Sequence, residues 1–383
     1  MVNVDELNKF ESPIIIQYDK DYQNTLMNKL NTYKEVVEKF AVSDECKYKV
    51  ISVCDSINCA LDNYYNGYTV TATEKLISII SGCEDNPFLV STLTNNYAFR
   101  GLAPKELRLS DDPAYDKMMQ EELYFFKARI SENSLTREDM LHIPYNKRSI
   151  ISTQRFSIPG VPCMYFSTTS FGCWLELSMP EKEYFYCSAY KLPSKWKILN
   201  LCIHHSVLQN AMNTLMGQPF NEEEALIVFP FVIATSFRIL ERNRTFRSEY
   251  IISQLLMQAA KIIGLDGIAY SSKRITALEA YPQCVNLAVI CDKSTENKIG
   301  EYSHKCKEIQ LTEPELFSDF NSYKFNNGKI QDKTLVIKHY KNNKGHQNIY
   351  IMDNAIKYHE SKFALYDEYL VSQEFKTPAL KEK

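Results

Sequence analysis

RFSIPGVPCMYFSTTSFGCWLEL, residues 155 to 177, decides how the rest of the chain is read. Its background is apolar or small, yet it carries one guanidinium, one phenol and one carboxylate. These are Arg155, Tyr165 and Glu176. Ser157-Ile158-Pro159-Gly160 reads as a turn of the kind that brings backbone N–H groups close to a ligand. CMYFST is a strand by its β-branched and aromatic content, and TSFGCWLELS opens a helix carrying Glu176. A strand Tyr is ordinarily core and a helix Glu ordinarily solvated. An Arg beside a turn, a strand phenol and a carboxylate at a helix start can together hold phosphate, stack on a ring and stabilise a cation. That combination suits cleavage of an N-glycosidic bond to a nucleotide.

Outward from this stretch, LYFFKARI reads as an aromatic-rich strand with Arg129 near its end. YFYCSAYKL and KWKILNLC read as a strand pair around a turn at Pro193-Ser194. Three helical stretches follow: SVLQNAMNTLM, EALIVFPFVIATSF and SEYIISQLLMQAAKII, the last closed by Gly264. DGIAYSS and CVNLAVIC return as short strands. Strands, then helices, then strands predict an α+β domain with a mixed or split sheet and flanking helices, not a doubly wound one. In residues 301–383, TLVIKHY and NIYIMDN are expected to pair as a hairpin across KNNKGHQ, and AIKYHESKFALYDEYL to form a final helix.

Residues 20–110 read as helical. Leu26, Leu30, Tyr33 and Val37 fall at helical spacing, as do Val50, Val53, Ile57 and Leu61. Asn66-Gly67 ends the second helix, and Thr71 with Glu74 resembles a capping box opening a third. LSDDPAYDK marks a boundary, with Asp112 as a cap and Pro113 in a first turn. The expected division is an all-α N-terminal domain over 1–112, free of catalytic residues, then 113–383 with an extension from about 301.

The net charge of −3 supplies no basic field, so nucleic acid is disfavoured as a partner. MVNVDELNKF has no signal-peptide pattern, and the apolar run ALIVFPFVIA is too short to span a bilayer, so no membrane is expected. Eleven scattered cysteines without a CxxC pair fit buried thiols in a reducing cytoplasm. Cys46, Cys54 and Cys59 are explained more simply as helical core than as metal ligands.

RFSIPGVPCMYFSTTSFGCWLE resembles the signature of the RES domain family, named for its Arg, Glu and Ser. An Arg before a short Gly-containing turn, a strand Tyr and a helix Glu match Arg155, Tyr165 and Glu176 in order. The family's Ser falls on YSS of DGIAYSSKR, at Ser272 or one residue earlier at Ser271. FFKARI matches the family's first strand, making Arg129 a second phosphate-facing Arg. HIPYNKR and FRSEYIISQLL resemble segments of longer members. The likeness covers about residues 120–300 and none of the N-terminal region.

The resemblance implies an ADP-ribosyltransferase-like fold and destruction of NAD+, with inorganic phosphate as co-substrate in phosphorylase members. It implies no cofactor and no metal. It also implies a toxin or phage-defence role, with a protein antitoxin or regulator as partner, and it leaves a homo-oligomer open. Glu176 would stabilise charge on the nicotinamide ribose, Arg155 would hold pyrophosphate or phosphate, and Tyr165 would pack on nicotinamide or its ribose. Ser272 would bond a phosphate or ribose oxygen, and Arg129, Ser157, His142 and Ser271 would line the substrate. Two other readings stand beside this one: an ADP-ribosyltransferase that modifies a macromolecule, and an idle RES-like binding module. REDMLH, Arg137 to His142, matches the R-x4-H pattern of helical ribonucleases, but Ile-Pro after His142 disfavours a continuing helix. His204-His205 reads as surface or turn, and ERNRTFR as a solvated loop.

Overall fold

The computed structural model describes residues 4–101, 113–205, 208, 223–291, 301–322, 324–325, 328–342, 348–351 and 354–380. Among them the main helices are α1 Tyr22–Glu38, α2 Asp44–Tyr65, α3 Thr69–Ser81, α4 Ser170–Glu176, α5 Glu223–Ala234, α6 Ile251–Ile262 and α7 Lys362–Ser372. The strands are β1 Ile14–Ile16, β2 Val90–Thr92, β3 Phe125–Ile130, β4 Cys163–Ser167, β5 Phe185–Lys191, β6 Lys197–Leu201, β7 Phe237–Ile239, β8 Gly267–Ser271 and β9 Val285–Ile290. Four shorter ones follow: β10 Gln310–Leu311, β11 Glu315–Leu316, β12 Asn348–Ile351 and β13 Asn354–Lys357. The class is α+β. No helix among the described residues is long and apolar enough to cross a membrane.

The chain divides into two compact units, and the division is interleaved. The first comprises Met1–Asp116, Ser152–Ile158 and Trp196–Leu278; the second comprises Lys117–Ile151, Pro159–Lys195 and Glu279–Lys383. A linear boundary at 112/113 therefore does not describe the packing. Helix α5 supplies the reason. Every residue from Ala225 to Ala234 is buried, so this helix needs cover on all sides. Cover comes from the N-terminal helices: the rings of Tyr33 and Phe10 pack on Phe229 at 5.5 and 6.3 Å. Pro230 has no N–H to donate to the carbonyl four residues back, which is Leu226. The Tyr33 hydroxyl donates to that carbonyl instead, at 2.9 Å. The Glu223 carboxylate accepts from the Ser43 N–H and hydroxyl, both at 2.7 Å, while Ser43 caps α2.

Leu26, Leu30, Tyr33 and Val37 of α1 are buried as their spacing predicts, and so are Val50, Val53, Ile57 and Leu61 of α2. Gly67, at φ +83°, follows the end of α2. Helix α3 begins at Thr69, so Thr71 lies inside it and the expected capping box is not formed. The strands of this unit make a mixed sheet: β2 runs antiparallel to β6, and β6 parallel to β8. Separately, β1 pairs parallel with β7.

The second unit holds an antiparallel sheet. Strands β10 and β11 pair with β5, β5 with β3, β3 with β4 and β4 with β9. The predicted β5–β6 hairpin is absent, because β5 takes β3 and β6 takes β2 and β8 as partners. LVIKHYKN, expected as a strand, is the helix Leu335–Asn342, and the hairpin joins β12 to β13. The final helix starts at Lys362, where Ser361 caps it. The predicted helix SVLQNAMNTLM lies outside the described residues apart from Leu208, and Asp112 also lies outside them.

Candidate active site

Tyr165 and Glu176 belong to the second unit. Side chains alternate along a strand, and residues directly opposite each other share a face. Tyr165 pairs with Ala288, Ser167 with Asn286 and Phe126 with Ser167. One face of this sheet therefore carries Tyr165, Ser167 and Asn286 together. Helix α4 packs on that face, its Cys173 thiol donating to the Phe126 carbonyl at 3.2 Å.

The route from strand to helix is closely built. Thr168 Oγ1 donates to the Pro282 carbonyl at 2.6 Å. Thr169 caps α4 by accepting from the Gly172 N–H at 3.0 Å. At Gly172 a Cβ would meet Ser167 Oγ at 2.1 Å and the Gln283 carbonyl at 3.1 Å. Glycine is thus what lets the first turn of α4 lie against β4. Ser178 and Met179 then take left-handed backbone, at φ 66° and 57°, and stop the helix.

Glu176 is the last residue of α4, not its first turn. The C-terminal end of a helix carries partial negative charge, which disfavours a carboxylate there by roughly 0.3–1 kcal/mol. A specific donor offsets this: Asn286 Nδ2 donates to Glu176 Oε1 at 2.7 Å. Asn286 is 2 % exposed, and its amide oxygen has no hydrogen-bond partner. A buried orphan acceptor is uncommon in folded proteins. Glu176 itself remains part-exposed, as does Tyr165. Its charge also adds to the effect of burial in holding the Cys284 thiol well above its ordinary range. No motif in the sequence marks Asn286. Its only local signal is one amide inside the otherwise apolar run VNLAVI.

Arg129 and His142 lie elsewhere in this unit. Lys127 and Arg129 alternate with Phe126 and Ala128, so they stand on the opposite sheet face from Tyr165. Arg129 donates to the Leu141 carbonyl at 3.0 Å, as does Lys127 at 3.3 Å. Burial brings the Lys127 ammonium down to about 7. His142 is buried, with Nδ1 against the Ile143 carbonyl at 2.8 Å and Nε2 accepting from the Ser303 N–H at 2.8 Å. The first contact requires the proton on Nδ1, and burial lowers the imidazole to about 4, so His142 is neutral. Both ring nitrogens are engaged by backbone. Arg137, the other end of the R-x4-H pattern, donates to the Leu311 carbonyl and pairs with Glu313, and the segment between them is turns rather than helix.

Arg155, Ser157, Ser271 and Ser272 belong to the first unit. The Arg155 guanidinium donates to the carbonyls of Thr235, Glu249 and Phe237 at 3.3, 3.1 and 2.8 Å. It also stacks over the Tyr250 ring at 4.9 Å. Ser157 bonds back to the Gln154 backbone, closing its own turn. Phe156 packs on Tyr270 at 4.5 Å, which sets the Arg155 segment beside the end of β8. There Ser271 and Ser272 are both buried. Ser271 bonds the Cys202 thiol, and Ser272 Oγ accepts from the Arg274 N–H at 3.2 Å. His205 is buried and His204 half-buried: their rings lie 4.1 Å apart, tilted, and burial lowers both. Within ERNRTFR, Arg244 is held by Asp19 and by both carboxylate oxygens of Glu249.

No protein-family model and no solved structure matches the chain. One curated relative is a protein of Bacillus subtilis (strain 168) that carries the name "Putative toxin YopC". It is 30 % identical over 212 residues, which cover 52 % of this chain and 48 % of that protein. The chain thus spans about half the length of the curated relative it matches.

Proposed function

We propose that the protein cleaves the nicotinamide–ribose bond of NAD+ and passes ADP-ribose to inorganic phosphate, or to water in its absence. One observation carries this reading. A part-exposed carboxylate, Glu176, sits where its own helix disfavours it, held by a buried Asn286 whose amide oxygen is unpartnered. In the reaction the ribose C1–nitrogen bond breaks and nicotinamide leaves with the bonding pair as a neutral base. Positive charge develops on the ribose ring, and a phosphate or water oxygen then bonds to C1, water losing a proton. Glu176 stabilises that cation mainly in the transition state. The part-exposed Glu176 carboxylate is an acceptor suited to ribose hydroxyl donors, and Tyr165 supplies a ring to pack against. The similarity to a toxin-named protein supports a harmful outcome of NAD+ loss, with an antitoxin or regulator as natural partner.

Arg155 favours a second reading. Three of its hydrogen bonds already go to backbone carbonyls, as in a module that keeps the fold of a RES domain without its turnover. One experiment separates the two. Purified protein is incubated with NAD+, with and without phosphate, and products are identified by mass. Release of nicotinamide, accelerated by phosphate and yielding ADP-ribose-1″-phosphate, is expected. ADP-ribose alone at equal rates makes the enzyme a glycohydrolase, and ADP-ribose attached to a macromolecule makes it a transferase. NAD+ intact over hours, with folded protein free of inhibitor, ends the enzymatic reading in favour of the binding module.

A further inference from the structure

We propose that Asp367 is a positioning residue for Glu176: helix α7, near the C-terminus, sets the placement of α4 through one buried carboxylate. This rests on the role given to Glu176 above. Asp367 is completely buried, and its two oxygens lie 3.1 and 3.2 Å from the backbone N–H of Ser170, the first residue of α4. The Tyr358 hydroxyl donates to the same carboxylate. Phe363, one turn earlier on α7, packs on Phe171 and Trp174 of α4, both at 5.4 Å. On its other side α4 is pressed against Ser167, where only glycine fits at 172. Seven residues span about 10 Å. A grip on the first residue and on Trp174 is therefore felt at Glu176, where the Asn286 amide must meet it.

Burial raises the Asp367 carboxyl to about 7. The groups facing it are Tyr358, Cys187 of β5, which itself bonds Cys173 of α4, and Tyr366 and Glu368 of its own helix. Glu315 of β11 lies close to Tyr366. Burial pushes Cys187 and Tyr366 far up, so both are neutral. Glu368 is raised by burial and is bound by the backbone N–H groups of Gln331, Lys333 and Thr334. The folded value lies above the unfolded one, so the ionised form is the less stable, and stability from this group falls as pH rises from about 4 to about 7.

The test uses the full chain and Asp367→Asn. At about pH 8, where Asp367 is ionised, turnover of NAD+ should fall about tenfold or more in the variant, because small misplacements of a catalytic group are costly, while KM changes little. A limb of the kcat profile centred near pH 7 should be present in the wild type and missing in the variant. At about pH 8, denaturant unfolding should show the variant as stable as the wild type or more so. With 5-fluorotryptophan in both Trp positions, the Trp174 resonance is assigned using Trp196→Phe. It should titrate near pH 7 in the wild type and stay flat in Asp367→Asn. Loss of stability in step with activity, or a Trp174 resonance indifferent to Asp367, overturns the proposal. A wild type that does not cleave NAD+ sinks the functional reading instead, and the Trp174 titration and stability comparison then judge the clamp by themselves.

Discussion

At the scale of single residues, Glu176 is the group on which the proposed chemistry turns. It occupies the unfavourable end of a helix and is held by one amide. Glu176→Gln keeps the shape and can keep a hydrogen bond to Asn286, but it removes the charge. NAD+ has little extra positive charge at the ribose carbon before the bond breaks, so binding should change little. The transition state should lose about 3 kcal/mol, roughly a hundredfold in turnover, as for other preorganised electrostatic groups. Calorimetry beside steady-state kinetics reads both quantities, and near-normal turnover in folded Glu176→Gln removes the residue from the mechanism. Tyr165 and Glu176 stand out in the sequence because their order and spacing form a local pattern. Asn286 does not, since its partner is 110 residues away in the chain and meets it only after β4 and β9 pair.

At the scale of elements, the seam between β4 and α4 tolerates no added atom. Gly172→Ala drives a methyl group into Ser167 Oγ and toward the Gln283 carbonyl. A cost of about 1 to 3 kcal/mol is expected for such overpacking. Ser167→Ala in the same chain should return part of it, because the hydroxyl is gone while Ser167 Cβ and the Gln283 carbonyl stay at 3.1 Å. Denaturant midpoints of the two single variants and the double variant test this. Equal midpoints for wild type and Gly172→Ala mean that the seam accepts a methyl group. Element types near this seam were readable from pattern: β3, β4, α4, β5 and β9 all fall where propensity places them. Pairing was not. YFYCSAYKL and KWKILNLC look like a hairpin because a Pro-Ser turn separates them, yet their partners are distant strands. LVIKHYKN carries β-branched residues and still forms a helix, where tertiary burial of Leu335, Val336 and Ile337 overrides a weak local preference.

For the molecule as a whole, the N-terminal helices are structural members of the first unit. Removal of residues 1–110 strips cover from α5 and leaves the Leu226 carbonyl, unbonded because of Pro230, without the Tyr33 hydroxyl. The truncated chain is expected to aggregate or to show helical circular dichroism without a cooperative melt. A monomeric, cooperatively folding product that retains NAD+ cleavage would restore the view of these helices as a separable domain.

The sequence by itself determined the class of fold and most of its helices and strands. It also yielded the buried stripes of α1 and α2. These depend on neighbours within a few turns of chain, where periodicity and side-chain type are sufficient. Only the tertiary structure decided which strands pair, and that α5 takes its cover from helices about 190 residues earlier. It alone placed Arg129 on the sheet face away from Tyr165, tied both ring nitrogens of His142 to backbone, and joined Asp367 and Asn286 to the two ends of α4. Each of these depends on which buried surfaces and unpaired backbone groups meet, a matter of long-range packing that local sequence leaves open.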